Sequence, residues 1–186
     1  MAQKENQRIA LTKKLLQEGL LRLLEQKTLD RISVTELCRE SGINRATFYN
    51  HYNSPLDLLD SIESKLTAEL ERIIGTPRTT NEVTEHTEAV CAYFQENART
   101  ILILHNCHAD TKIANALYKL NQDFQQSRLK NKYTGTIRPV GLHLITVFFY
   151  TGCYNLLLEW LEKDIQATPK EIAELMITMA RENFVE

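Results

Sequence analysis

Apolar positions recur along this chain at intervals of three and four, the spacing that lines up side chains on one face of an α-helix, and strand-like alternation persists nowhere. Ile9, Leu16, Leu20, Leu23 and Leu24 mark a first helix ending near Gln26-Lys27-Thr28. Val34, Leu37 and Cys38 share a face in a short second helix, and Phe48 and Tyr52 form the inner face of a third, predicted over residues 45–52. Leu56, Leu59, Ile62, Leu66, Leu70 and Ile73 give a long fourth helix, which Gly75-Thr76-Pro77 ends. A fifth helix over residues 81–96 is apolar near Val90, Tyr93 and Phe94, and a short apolar segment follows at 98–105. Ile113, Ala114, Leu117, Leu120 and Phe124 mark another amphipathic helix, and Thr134-Gly135 and Pro139 break the pattern after it. The last helix starts at the cap Thr168-Pro169-Lys170-Glu171 and carries the stripe Ile172, Leu175, Met176, Met179. The expected class is all-α, with about nine helices: an N-terminal three-helix domain at 5–66 and a C-terminal bundle at 67–186.

Residues 139–158 carry no formal charge over 20 positions, long enough to cross a bilayer. His143, Thr146, Thr151, Tyr154 and Asn155 interrupt the run, and neither flank has the Lys/Arg cluster that sets membrane topology. A helix apolar all round also suits the centre of a helical dimer, so the expectation is a dimer and no membrane. Phe148, Gly152, Leu156 and Trp160 fall on one four-residue ridge, where Gly permits close approach and the larger side chains fill a neighbour's groove.

The most specific signal is at residues 33–52. Ser33-Val34-Thr35-Glu36 is a capping box, Ser41-Gly42 is a stop that can take positive φ, and Asn44 caps the helix that follows. Arg45, Ala46, Thr47, Tyr49, Asn50 and His51 are then left largely facing out. A slim outer face bearing hydroxyl, amide and cationic groups is what a helix in the major groove needs, because base edges and phosphates offer matching partners.

Ile32-Ser33-Val34-Thr35-Glu36-Leu37, followed by Gly42-Ile43-Asn44-Arg45-Ala46-Thr47-Phe48-Tyr49-Asn50-His51-Tyr52, resembles the helix-turn-helix of the TetR/AcrR family of bacterial transcription regulators. The resemblance implies operator DNA as partner and Ser33, Thr35, Arg45, Ala46, Thr47, Tyr49, Asn50 and His51 as the contacting set. One departure stands out: where the family commonly has a phosphate-binding Lys at the start of the fourth helix, this chain has Pro55. Tyr150-x-Gly152, Glu159-Trp160-Leu161-Glu162 and Thr168-Pro169-x-Glu171 resemble the C-terminal domain of TetR-like regulators from low-GC Gram-positive bacteria. That likeness implies a homodimer built on the last two helices of each subunit, which adds Leu175 and Met179 to the interface ridge.

Net charge is -2 over 186 residues, too acidic for a protein that binds nucleic acid over its whole surface. Its distribution is uneven, since residues 1–55 hold nine of the 22 Lys/Arg but six of the 24 Asp/Glu. The electrostatic footprint therefore lies at the N-terminus. Cys38, Cys91, Cys107 and Cys153 show no paired spacing, and the opening MAQKENQR has no signal-peptide core, so a reducing cytoplasm is expected. His105-Asn106-Cys107-His108-Ala109-Asp110 offers metal-ligand types without a second cluster, and a polar helix end accounts for it, so no metal is assigned. Nucleophile elbow, HExxH, P-loop and dinucleotide motifs are missing from the sequence, so neither enzyme activity nor a cofactor is expected.

Sensing remains for the C-terminal body. Tyr93, Phe94, Tyr118, Phe124, Phe149 and Cys153 are candidates to line an apolar pocket for a small-molecule effector. The expected function is a TetR-like repressor released from its operator by that effector. The alternatives are the same fold controlled by a partner protein and a ligand-binding protein that no longer binds DNA.

Overall fold

The computed structural model describes residues 2–74, 80–119 and 139–184, and every regular element among them is helical. The order is α1 (Ala2–Leu24), a 3-10 turn (Leu29–Arg31), α2 (Val34–Ser41), α3 (Arg45–Tyr49), α4 (Pro55–Ile74), α5 (Thr80–Glu96), α6 (Ala98–Asn106), α7 (111–119), α8 (Pro139–Glu162) and α9 (Pro169–Phe184). The all-α class is as expected. Gly75-Thr76-Pro77, Leu120, Phe124 and Thr134-Gly135 lie outside the described residues. The chain divides into two compact units, one of Met1–Leu66 with Ile103–Asp110, the other of Thr67–Leu102 with Thr111–Glu186.

In the first unit α1 and α2 pack closely around Leu16, Leu20, Leu37, Phe48 and Leu58, each with no exposed surface. Gly19 makes that approach possible, because a Cβ there would stand 3.0 Å from the Cβ of Ser41. The end of α2 is set by Gly42, whose φ of 68° lets the Ile43 amide bond back to the Cys38 carbonyl at 3.0 Å. Leu104, carried in on the last turns of α6, completes the core.

In the second unit α5 packs chiefly on α9 and also on α8. Phe94, Cys91, Ile101 and Leu157 are at most 1% exposed. Trp160 is 3% exposed, and its indole N–H is shared between the carbonyls of Ile165 at 3.1 Å and Ala167 at 3.2 Å, which staples the α8–α9 turn. The start of α9 is a full capping box, with the Glu171 amide donating to Thr168 Oγ1 at 3.2 Å and the Thr168 amide donating to Glu171 Oε2 at 2.7 Å.

The interface ridge expected on α8 needs correction at one end. Phe148 is 75% exposed, Gly152 faces open space and Leu156 is half-buried, but Trp160 points into its own unit's core. Four-residue steps drift by about 40° each around a helix of 3.6 residues per turn, so Trp160 lies about 120° around from Phe148. The outward stripe runs instead through Leu144, Val147, Phe148, Thr151, Asn155 and Glu159. His143–Glu162 is long and apolar enough to span a bilayer by length and composition.

Two glycine substitutions separate steric from conformational constraint. Gly19→Val should destabilise the protein by about 1–3 kcal/mol through overpacking against Ser41. Gly42→Ala, at a site with no neighbour within 4 Å, should cost about 1–2 kcal/mol from left-handed backbone alone. Gly42→Asn should cost less than Gly42→Ala. Urea denaturation followed by circular dichroism measures all three.

Candidate nucleic-acid interface

The candidate interface starts at the cap of α2, where Ser33 Oγ accepts the Glu36 amide at 3.2 Å. After the Gly42 turn, Asn44 Oδ1 accepts the Thr47 amide at 2.7 Å and starts α3. Regular α3 is shorter than the predicted 45–52, ending at Tyr49. His51 and Tyr52 both bond back to the Phe48 carbonyl at 2.9 Å, so the last residues form a tightened turn. Phe48 anchors this turn, fully buried, with its ring edge-on to Tyr49 at 5.4 Å and tilted against Tyr52 at 6.1 Å.

Around that anchor Ser33, Thr35, Arg45, Ala46, Tyr49 and Asn50 are exposed, and Thr47 and His51 are half-buried. Tyr49 keeps half of its surface open although its ring leans on Phe48. The start of α4 follows at once, with Ser54 Oγ accepting the Asp57 amide at 3.1 Å. Asp57 Oδ2 in turn accepts from the Asn53 amide at 2.8 Å and from Asn53 Nδ2 at 3.0 Å. A carboxylate thus sits at the helix end where the family pattern places a phosphate-binding Lys, and it opposes an anion there.

The neighbouring acids are tied down. Arg22 Nε meets Glu40 at 2.6 Å, and Lys27 Nζ meets Glu36 at 2.5 Å. The Lys27 ammonium holds the Glu36 carboxyl below its ordinary value, with smaller help from Arg39 and the Ser33 amide. The Thr28 hydroxyl does the same for Asp30. Arg45 is exposed and bonds no carboxylate among the described residues, and its charge acts against the burial that raises the Cys38 thiol. Arg39, 82% exposed and 3.9 Å from Glu36, is a surface cation that the motif comparison did not single out.

The candidate effector residues lie in the second unit. Phe94 is fully buried and Tyr93 nearly so, with the Tyr93 hydroxyl donating to Glu69 at 3.4 Å. Tyr118, Phe149 and Cys153 are half-buried, and Phe124 lies outside the described residues. Tyr118 meets Tyr150 edge-on at 5.2 Å, Tyr150 stacks on Tyr154 at 6.3 Å, and Tyr154 meets Phe94 edge-on at 6.4 Å. These four rings form a ladder joining α5, α7 and α8. In the first unit, the His105-to-Asp110 segment is the polar end of α6, with His105 Nδ1 and Asp110 Oδ2 paired at 2.7 Å.

Residues 81–182 match the family of the transcriptional regulator C-terminal region. The TetR transcriptional regulator of Streptococcus agalactiae 2603V is 21% identical over 96% of this chain and 98% of its own, with a TM-score of 0.68. A TetR-family regulator from Streptomyces coelicolor is 18% identical over 92% and 78%, with a TM-score of 0.58. The dihydroxyacetone kinase operon activator DhaS is 12% identical over 93% and 96%, with a TM-score of 0.57. No curated protein sequence matches the chain significantly.

The Lys27–Glu36 pair predicts an acid dependence. Because the folded carboxyl is held below its ordinary 4.5, its contribution is complete above that value and fades as pH falls through the lowered one. Glu36→Gln should therefore lower the thermal midpoint at neutral pH, and the gap from wild type should close on acidification. A gap that is constant with pH would show that the pair adds nothing through its charge.

Proposed function

This chain belongs to the TetR family of transcriptional regulators, and from that premise we propose that it binds operator DNA as a homodimer and represses until an effector binds its second unit. The observation that carries the DNA part is the capped α3 with its outward Arg45, Tyr49 and Asn50, backed by a fully buried Phe48. In this reading Arg45 and Asn50 reach base edges, while Thr47, Tyr49 and His51, with Ser33 and Thr35 at the start of α2, contact phosphates. Ala46 keeps the helix slim enough for close approach. The four cysteines are free, which fits a cytoplasmic protein.

A second copy is the partner that suits the outward stripe of α8. Leu144 at 60%, Phe148 at 75%, Leu175 at 48% and Met179 at 46% exposure are a large apolar liability in water. The aromatic ladder supports an effector with a planar or apolar body. Such a ligand acts only through different affinity for the DNA-bound and free states. One fold neighbour, DhaS, is an operon activator by name, so in vitro transcription on the native promoter is the assay for the sign.

Arg45→Ala and Tyr49→Ala should leave stability within about 0.5 kcal/mol of wild type, both side chains being exposed. Arg45→Ala should lose about 1–3 kcal/mol of operator affinity and relax base preference, whereas Tyr49→Ala should weaken all sequences alike. Wild-type binding of a selected operator by the double mutant, at fixed salt, would overturn the assignment. Phe148→Glu should convert a species near twice 21.5 kDa to one near 21.5 kDa in sedimentation. An unchanged dimer would place the interface elsewhere.

A further inference from the structure

The first unit contains a cleft of about 840 Å³ that the DNA-contacting set does not use. Its apolar walls come from Leu24 and Leu29 at the end of α1 and the 3-10 turn, and from Leu56 in the first turn of α4. Leu56 is 62% exposed, so its side chain borders open space rather than core. Cys107 and His108, just past α6, line it as well. His108 holds a left-handed φ of 54°, which allows the Ala109 amide to bond the Leu104 carbonyl at 2.8 Å. Gly is the residue that takes this position without strain, so a histidine here fixes an imidazole at the cleft at a cost in stability.

The charges at the rim narrow the occupant. Lys27 is already bonded to Glu36 at 2.5 Å, and Asp30 is an exposed carboxylate that accepts from the Thr28 hydroxyl. The Asp30 carboxylate at the rim opposes an anionic ligand, and burial raises the Cys107 thiol, as expected of a partly dry wall. The volume falls in the range of about 300–1,000 Å³ usual for small-molecule sites.

We propose that this cleft is a second ligand site, on the DNA-binding unit itself, for a neutral, mostly apolar small molecule carrying one or two hydroxyl or carbonyl groups. The apolar body lies on Leu24, Leu29 and Leu56, and the polar groups meet His108 and the rim. The site is separate from the effector pocket proposed in the second unit. Its occupant touches residues just before the Ser33 cap and residues just after Tyr52, the two ends of the helix-turn-helix, and so it biases how α3 is presented.

The test uses the full chain and the neutral dye Nile red, with maleimide labelling of each cysteine read by peptide mass spectrometry. One dye per chain should slow labelling of Cys107 about tenfold while leaving Cys153 of the second unit unchanged. Leu56→Glu, an acid in a first helical turn where the dipole favours it, should keep the helix content and abolish the protection. His108→Gly should raise the thermal midpoint and weaken dye binding. The dye should change operator affinity in the wild type and not in Leu56→Glu. Absence of binding, protection of Cys153 in place of Cys107, or protection that survives Leu56→Glu would each overturn the proposal. Shielding of Cys107 that rises with protein concentration alone would assign the cleft to a second copy and overturn it as well.

Discussion

The close approach of α1 to α2 at Gly19 and Ser41 is the constraint on which the helix-turn-helix of this protein depends. With no side chain at Gly19, the two helices sit near enough for Leu16 and Leu20 to seal Leu37 and Phe48 from water. Phe48 is the only fully buried residue of α3, and it fixes the rotation of that short helix about its axis. A five-residue helix has too few internal hydrogen bonds to be stable alone, so its orientation is borrowed from the core beneath it. The outward placement of Arg45, Tyr49 and Asn50 thus depends on a contact at the C-terminal end of α2, just before the turn into α3.

The electrostatics follow the same division of labour. Glu36 and Glu40, the acids on α2, are bonded to Lys27 and Arg22 from α1 and the turn beyond it, so α2 presents little free negative charge to an incoming polyanion. Asp57, on α4, is spent on the start of its own helix. Where family members offer a lysine, this chain has closed the helix end with its own carboxylate. In the proposed reading, contact with DNA falls to α3 and the start of α2 more than to α4.

What could be read from the sequence was local. The caps at Ser33, Asn44 and Thr168, the stop at Gly42 and the helix start at Pro55 each depend on residues within one turn, and each stands where the pattern placed it. Trp160 was misplaced because a ridge counted in fours ignores the drift of a real helix over three steps. Its true partners, the carbonyls of Ile165 and Ala167, are backbone atoms that no side-chain pattern announces. The packing of Ile103–Asp110 with the N-terminal helices was likewise invisible, since periodicity gives a helix's apolar face but not which core it enters. Of the eight interface candidates, the motif picks out six that the fold leaves exposed and two, Thr47 and His51, that it half-buries, whereas the aromatic candidates of the second unit mix buried and half-buried rings that composition does not tell apart.

The stapled indole has an optical consequence. Trp160 is the single tryptophan of the chain, it is 3% exposed, and both of its hydrogen-bond acceptors belong to the α8–α9 turn. Fluorescence excited at the red edge, where tyrosine is silent, is therefore a natural reporter of one unit only. Its blue-shifted emission would move to longer wavelength when that turn opens to water and would stay unchanged while the helix-turn-helix frays, so this protein carries a built-in means of telling melting of the body from melting of the head.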